Sequence, residues 1–276
     1  MVQEGLDDLD RAVAIDAECD VKADLEDRGK LSGRQSEGGC MVPKGNRCPE
    51  GQGLAQAVSQ AGTLRERLAA ITYTGAISDI LDEMGLREQV LPHEIRPIRP
   101  GQVVAGRALT VLGEPVAGLT RDDYFVPFLT MLGSIEAGDV VVIQANDCAV
   151  AHFGELSAET AIARGGAGVV VDGGVRDVEY LLKLGFPAFA RYATPRDMVS
   201  RWRVVDCNVP ITIGRTRVSA GDYVLGDRDG VAIVPREVAE EAIGRAEEVI
   251  REENQIRTAV VQGMHPVTAY EKFGRF

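Results

Sequence analysis

The sequence predicts an α/β protein, with a mixed sheet or two stacked sheets flanked by helices. Short Val- and Ile-rich runs bounded by glycine, such as AGDVVVIQA, GAGVVVDGG and GVAIVP, read as buried strands. They alternate with helical spacings through the middle of the chain, then give way to a strand-rich section and a long closing helix. With 31 glycines and 5% aromatic residues, turns are frequent and the core is built from Val, Ile, Leu and Ala. A chain of 276 residues with 45% hydrophobic content can form one sizeable core or two small ones.

Residues 1–60 form an acidic extension of low order. They begin with ten acids against four bases in the first 30 residues, then turn Gly-, Ser- and Pro-containing without a sustained period. One short helix over Leu6–Ala17 is all this stretch offers. The folded domain spans residues 61–276. LRERLAAI has helical spacing, and Thr74 is suited to cap a second helix, GAISDILDEMG, that ends at Gly85. VVAGRALTVLG is rich in β-branched and small residues and reads as a strand. A helix follows over Asp122–Ile135, then the strand AGDVVVIQA, a helix over Leu156–Arg164, the strand GAGVVVDGG and a helix over Val178–Leu184. FPAFARY, VPITIG, TRVSAGDYVLGD and GVAIVP read as further strands. The long helix runs from about Arg236 to Gly263, with acid–base pairs such as Glu247 and Arg251 at i,i+4 spacing, and a short helix follows Pro266. AGDVVVI and AGDYVLG echo one another as turn-plus-strand units.

Several functions are excluded. A net charge of −12 opposes non-specific nucleic-acid binding. No run of about 18 apolar residues is present, and no basic segment leads into an apolar one near the start, so neither a membrane span nor a secretory signal is expected and the cytoplasm is the default location. Cys19, Cys40, Cys48, Cys148 and Cys207 are odd in number and lack zinc-ligand spacing, so reduced thiols are expected. With only His93, His152 and His265 available, a metal would be bound through oxygen, as Mg²⁺ or Mn²⁺. No GxGxxG or GxxxxGK[ST] stands where a nucleotide would need it.

The segment HFGELSAETAIARGGAGVVVDGGVRDVEYL, residues 152–181, carries the chemistry. Gly154-Glu155 precedes a helix whose first amides and positive dipole suit an anion. The strand Val169-Val170-Val171 ends in Asp172-Gly173-Gly174 and leads into Arg176-Asp177 at the next helix, a β–turn–α junction of the kind that holds ligands. Arg176 offers a planar fork to a substrate carboxylate, and Asp177 and Glu155 offer carboxylates to a hard divalent cation or its water. The same residues could equally be a capping Asp, a solvated Arg and a dipole-matching Glu.

Gly154-Glu155-Leu156, with twenty residues between Glu155 and Arg176-Asp177, and GVVVDGGVRD around them, resemble the RraA-like family. That family contains class II 4-hydroxy-4-methyl-2-oxoglutarate/4-carboxy-4-hydroxy-2-oxoadipate aldolases and the regulator of ribonuclease E activity A. The similarity runs from about Leu64 to Phe276 through ISDILDEMG, AGRALTV, AGDVVVI and AGDYVLGDRDGVAIVP. It implies an α/β/β/α sandwich assembled as a homotrimer or homohexamer. It also implies a divalent-metal-dependent lyase that cleaves 4-hydroxy-2-oxo acids to pyruvate and decarboxylates oxaloacetate. On this resemblance Asp177 binds Mg²⁺ or Mn²⁺, and Arg176 binds the substrate carboxylate and 2-oxo oxygen. Leu156 and Ser157, following Gly154, hold the pyruvate carboxylate through their amides, and Glu155 positions a water. Glu253 or Glu252 arrives from the neighbouring subunit's C-terminal helix.

The family's aldolase signature has Asp where this chain has Glu155, which reaches further by about one C–C bond and leaves the aldol substrate open. The alternative function is a non-catalytic regulator that binds a ribonuclease or helicase. Around the site, His152 either hydrogen-bonds into it or is packed, and Arg107 faces either a ligand or an inter-subunit salt bridge. Asp172 with Gly173-Gly174 shapes a turn, Trp202 and Cys207 read as packing residues, and His93 and His265 as loop residues.

Overall fold

Strands that are apolar at every position must separate two cores, because successive side chains point to opposite faces. In the computed structural model, which describes residues 62–71 and 73–275, this rule sets the layering. The acidic extension over residues 1–60, its Leu6–Ala17 helix, and Cys19, Cys40 and Cys48 lie outside the described residues.

The elements run α1 (Leu64–Ala70), α2 (Thr74–Glu83), β1 (Arg96–Pro97), β2 (Val104–Pro115), α3 (Arg121–Gly133), β3 (Asp139–Gln144), β4 (Ala151–Phe153), α4 (Glu155–Ala163) and β5 (Gly168–Val175). They continue with α5 (Val178–Leu184), β6 (Ala188–Ala193), β7 (Trp202–Cys207), β8 (Ile211–Ile213), β9 (Thr216–Val218), β10 (Tyr223–Gly226), β11 (Val231–Val234), α6 (Ala239–Val261) and α7 (Pro266–Phe273). Nine strands share one mixed sheet, ordered β1-β6-β5-β3-β2-β10-β11, with β4 on β5 and β7 on β2; β8 and β9 form a separate ribbon.

The long strand β2 makes one sheet serve as two layers. One edge pairs with parallel β3 over Arg107–Leu112. The opposite edge pairs first with β10 over Val104–Arg107 and further along with β7 over Val111–Pro115, so the sheet forks there. Three cores follow. Val141, Ile143, Val169 and Val171 face α3, α4 and α5. Val140, Val142 and Val170 face Val224, Val231 and Ile233 across the inside of the fork. Leu225, Ala232 and Val234 face outward onto α1, α2 and α6. The layers are therefore α/β/β/α, as the resemblance implies, with a long C-terminal helix.

Some local readings change. Thr74 is the first residue of α2 rather than its cap; Tyr73 holds the cap position, and Asp227 from the β10–β11 turn accepts from the Thr74 amide at 2.7 Å and its hydroxyl at 2.9 Å. Glu247 does not serve a surface pair with Arg251. It is buried and grips Arg67 of α1 at two points, each 2.9 Å, tying α1 to α6. Within its own chain Arg107 pairs with Glu136 and Asp139, each at 3.2 Å. Strands β1, β4 and β7 carry no sequence signal, and TRVSAGDYVLGD breaks into β9 and β10.

The two AGD units are one structural device used twice. Gly138 and Gly221 have φ of 86° and 87°, and the following Asp139 and Asp222 each accept an amide three residues back, from Glu136 and Ser219. They flank β2 on either side of Arg107. His265 is the N-cap of α7, its Nδ1 accepting from the Val267 amide at 3.3 Å. Among the described residues no helix is long and apolar enough to cross a membrane.

Candidate active site

Strands β4 and β5 are parallel neighbours, paired at Ala151–Gly174 and Phe153–Val175. Their C-terminal ends therefore lie side by side, and the Arg176 amide donates to the Phe153 carbonyl at 3.0 Å. This brings the Gly154-Glu155 loop, which opens α4, against Arg176-Asp177, which opens α5. Contact is so close that a side chain at Gly154 has no room: a Cβ there would stand 2.6 Å from Asp177 Oδ2 and 2.9 Å from Arg176 Cγ.

Asp177 is held in the left-handed region, at φ 56° and ψ 38°, a conformation that costs a non-glycine residue of order 1 kcal/mol. Its carboxylate does not cap its own helix. Instead Oδ2 turns across to accept the Glu155 amide at 3.2 Å. The next two amides of α4, on Leu156 and Ser157, have no acceptor among the described residues, as expected for a helix's first turn. An open helix start with positive dipole thus sits beside the carboxylate of a residue with a strained backbone.

Arg176 Nη1 donates to Asp197 Oδ2 at 3.0 Å, and its Nε lies 3.4 Å from Asp177 Oδ2. Asp197, in the β6–β7 loop, also accepts the Val199 amide at 3.0 Å. Burial opposes ionisation of Asp197, but the amides of Val199 and Met198 and the Arg176 guanidinium outweigh it and hold the carboxyl below its ordinary range. These groups line a cleft of about 290 Å³ whose remaining wall includes Phe125, Phe128, Leu129, Leu132, Phe153 and Met198. Three carboxylates, Glu155, Asp177 and Asp197, face one guanidinium there.

Beneath the cleft, His152 is packed rather than exposed. Its ring meets Trp202 edge-on at 4.7 Å, and its Nδ1 accepts the Gly174 amide at 3.2 Å. That bond places the ring proton on Nε2, which is 3.3 Å from Asp147 Oδ2 yet too poorly aligned for a good hydrogen bond. Gly173 and Gly174 admit this packing: a Cβ on Gly173 would strike the His152 ring at 2.7 Å, and one on Gly174 would overlap the Tyr192 ring. Asp172, Gly173 and Gly174 form no turn: they lie within β5, at a register shift against β6, and Asp172 pairs with Arg191. Trp202 is fully buried, donates from Nε1 to the Ala145 carbonyl at 2.7 Å, and packs where Gly113 leaves space. Cys207 is a free thiol, and burial pushes it up to about 11.

The structure brings Gly154, Glu155, Leu156, Ser157, Arg176 and Asp177 into one cleft. Glu253 is not among its lining residues; within its own chain it accepts from the Tyr73 hydroxyl and borders a second groove with Ile256, Arg257 and Val260. Glu252 pairs with Arg275 at 3.4 Å. Sequence reasoning missed Asp197, Asp147 and the apolar wall. Asp197 follows a Thr-Pro-Arg stretch that reads only as a loop, and the wall residues of α3 look like ordinary core. Among the described residues no three His, Cys, Asp or Glu side chains converge as a metal cage.

The chain has clear relatives. A family profile described as RraA-like, Aldolase/RraA, matches residues 74–233. A protein from Halalkalibacterium halodurans, provisionally named 4-hydroxy-4-methyl-2-oxoglutarate aldolase, is 32% identical over 198 residues, covering 71% of this chain and 89% of its own. Streptomyces coelicolor RraAS2, described as an unusual member of the RNase ES inhibitor RraA protein family, has a solved structure that aligns with a TM-score of 0.64 at 28% identity, covering 71% of this chain and 96% of its own. An uncharacterised protein from Pseudomonas syringae aligns with a TM-score of 0.66 at 26% identity, covering 75% and 96%.

Proposed function

This chain belongs to the RraA-like family, and on that footing we propose that it is a divalent-metal-dependent lyase. It cleaves 4-hydroxy-2-oxo acids, the class of 4-hydroxy-4-methyl-2-oxoglutarate, to pyruvate and a second carbonyl compound, and decarboxylates oxaloacetate. The observation that carries the reading is Asp177, held left-handed beside Arg176 and aimed at the open start of α4.

The donor set fits a hard cation. All candidate ligands are oxygens, and among the described residues no three side chains cage the ion, as suits Mg²⁺ or Mn²⁺, which keep water and substrate in most positions. Three carboxylates against one guanidinium would also repel an anionic substrate unless a cation offset them. Held by Asp177, such an ion would supply Lewis-acid charge at the 2-oxo oxygen as negative charge develops there.

The chain's own groups do the rest. The Leu156 and Ser157 amides and the dipole of α4 take the C1 carboxylate. Arg176, with Nη1 given to Asp197, directs its remaining N–H groups to the 2-oxo oxygen. Loss of the C4 hydroxyl proton to a water held by Glu155 breaks the C3–C4 bond; the electron pair passes into the pyruvate enolate, and protonation at C3 yields pyruvate. Oxaloacetate passes through the same enolate by losing carbon dioxide. Glu253, or Glu252, from a neighbouring copy in a homotrimer or homohexamer would complete the acid–base set.

Pyruvate release from oxaloacetate and from a 4-hydroxy-2-oxo acid is expected with Mg²⁺ or Mn²⁺, and its loss with a chelator. Arg176→Ala and Asp177→Ala should each reduce it at least about 10²-fold. Unchanged rates in both variants would refute the assignment. The likeness to RraAS2 favours a second reading, a regulator that binds a ribonuclease or helicase; ribonuclease inhibition that survives both substitutions, without pyruvate release, would support it.

A further inference from the structure

Arg176 and Asp177 follow a strand, β5, whose pairing is interrupted just before them. The register shifts against β6 between Val171 and Gly174, and against β4 between Ala151 and Phe153. Two amides of this stretch turn toward β4. That of Arg176 donates to the Phe153 carbonyl at 3.0 Å, but that of Gly174 donates to a side chain, His152 Nδ1, at 3.2 Å. The ring is held for this task on several sides. Its side chain is 0% exposed, Trp202 meets it edge-on, and it fills the space that a Cβ on Gly173 would need, 2.7 Å away. Asp147 Oδ2 stands 3.3 Å from Nε2 and is itself fixed by the Ala149 and Val150 amides, each at 2.9 Å. Burial opposes ionisation of Asp147, but the His152 ring and those amides outweigh it and hold the carboxyl below its ordinary range. A carboxylate there favours the ring proton on Nε2, which leaves the Nδ1 lone pair to accept. A ring this deeply buried touches no substrate, yet it fixes an amide two residues before Arg176. A buried N–H that loses its acceptor is costly, so without the ring the segment would shift to find another.

We propose that His152 is a positioning residue: kept in the Nε2–H tautomer by Asp147, it accepts the Gly174 amide and so seats Arg176 and Asp177 against the start of α4. Its effect on turnover rests on the reading of the cleft as a 2-oxo acid lyase site; its effect on the placement of the segment does not.

The test compares His152→Asn with His152→Leu in the full chain with Mg²⁺. The two new side chains share a branched shape, but only asparagine offers an oxygen close to where Nδ1 lies. In His152→Leu, kcat for pyruvate release from oxaloacetate should fall at least about tenfold with KM within about threefold, because the α4 amides that take the carboxylate are untouched. His152→Asn should keep kcat within about threefold of the parent. Two readouts stand apart from turnover. Hydrogen exchange at the Gly174 and Arg176 amides should quicken at least about tenfold in His152→Leu and stay near the parental rate in His152→Asn. The ring ¹⁵N shifts of His152, one of three histidines and identified by its loss in His152→Asn, should report a bare Nδ1 and a protonated Nε2. Equal kcat in the two variants, parental exchange in His152→Leu, or a proton on Nδ1 would overturn the proposal. If His152→Leu does not fold, a loss of about tenfold in His152→Asn overturns it equally. Absence of pyruvate release from the parent refutes the lyase, and exchange and tautomer then decide the role of His152 by themselves.

Discussion

Replacing Gly154 by alanine tests the site geometry at its tightest point. The new Cβ would lie 2.6 Å from Asp177 Oδ2 and 2.9 Å from Arg176 Cγ. Comfortable non-bonded separation is about 3.5 Å, so the carboxylate must retreat by nearly 1 Å. It cannot do so and keep its bond to the Glu155 amide, already 3.2 Å long. A displacement of that size in a reacting constellation costs about 10²-fold in rate, equivalent to about 2.7 kcal/mol of transition-state stabilisation. Stability should change little. The backbone at Gly154 is extended, at φ −157°, which alanine tolerates, and Asp177 is more than a third exposed and can swing outward. The smaller freedom of the unfolded alanine chain offsets part of the steric cost, by about 0.4–1 kcal/mol. Gly154→Ala should therefore melt within a few degrees of the parent while kcat/KM for pyruvate release falls about a hundredfold. An alanine variant within threefold of parental activity would refute the claim that this contact sets the placement of Asp177.

Other outcomes follow from the packing and the charges. Glu247→Ala leaves the Arg67 guanidinium buried, with only Glu240 in reach, and should lower the unfolding free energy in urea by about 3 kcal/mol; a loss under about 1 kcal/mol would contradict the buried bidentate pair. Trp202, the chain's one tryptophan, is fully buried. Its emission should be blue-shifted in the folded protein and move red in a single step on unfolding; a red emission maximum before denaturant is added would contradict that burial. Asp197 titrates below its usual 3.8 because amides and Arg176 outweigh burial. Its folded value is depressed, so its contribution to stability is present above about pH 4 and is lost as pH falls through the folded value. Melting temperature should drop on acidification below about pH 4 in the parent and drop less in Asp197→Asn; parallel curves would refute that role.

The parts of the fold that can be read from sequence are those whose cause is local. β3 and β5 are legible because the runs Val140–Ile143 and Val169–Val171 are apolar at every position, which only a strand between two cores requires. α6 is legible from its length and charge spacing. Features caused by distant residues are not. Asp227 caps α2 from 153 residues away, and Glu247 takes Arg67 from 180 residues away, so neither leaves a mark on its own neighbourhood. β4 is three residues long, too short for any period, and β7 mixes Arg203 and Asp206 with its apolar positions. The choice between one sheet and two is illegible for a related reason. The answer lies in β2, whose single edge carries β10 and then β7, and nothing in VVAGRALTVLG announces a fork.

The site divides along the same line. Glu155 and Arg176-Asp177 can be placed from sequence because each opens a helix and their spacing resembles that of a known family, but β4, which seats the Glu155 loop beside the end of β5, leaves no mark in the sequence. What that reasoning does not supply is how Arg176 is used. A free guanidinium would grip a carboxylate at two points, which is the expectation its residue type creates. Here Nη1 donates to Asp197 and Nε faces Asp177, so part of the fork is already engaged by this chain's own carboxylates. On the proposed reading, the two uncommitted amides at the start of α4 would take the carboxylate and the remaining Arg176 N–H groups the 2-oxo oxygen. Asp197 would then orient Arg176 toward the 2-oxo end of such a substrate. It also carries negative charge into a cleft whose other wall is apolar, which a bound cation at Asp177 would offset.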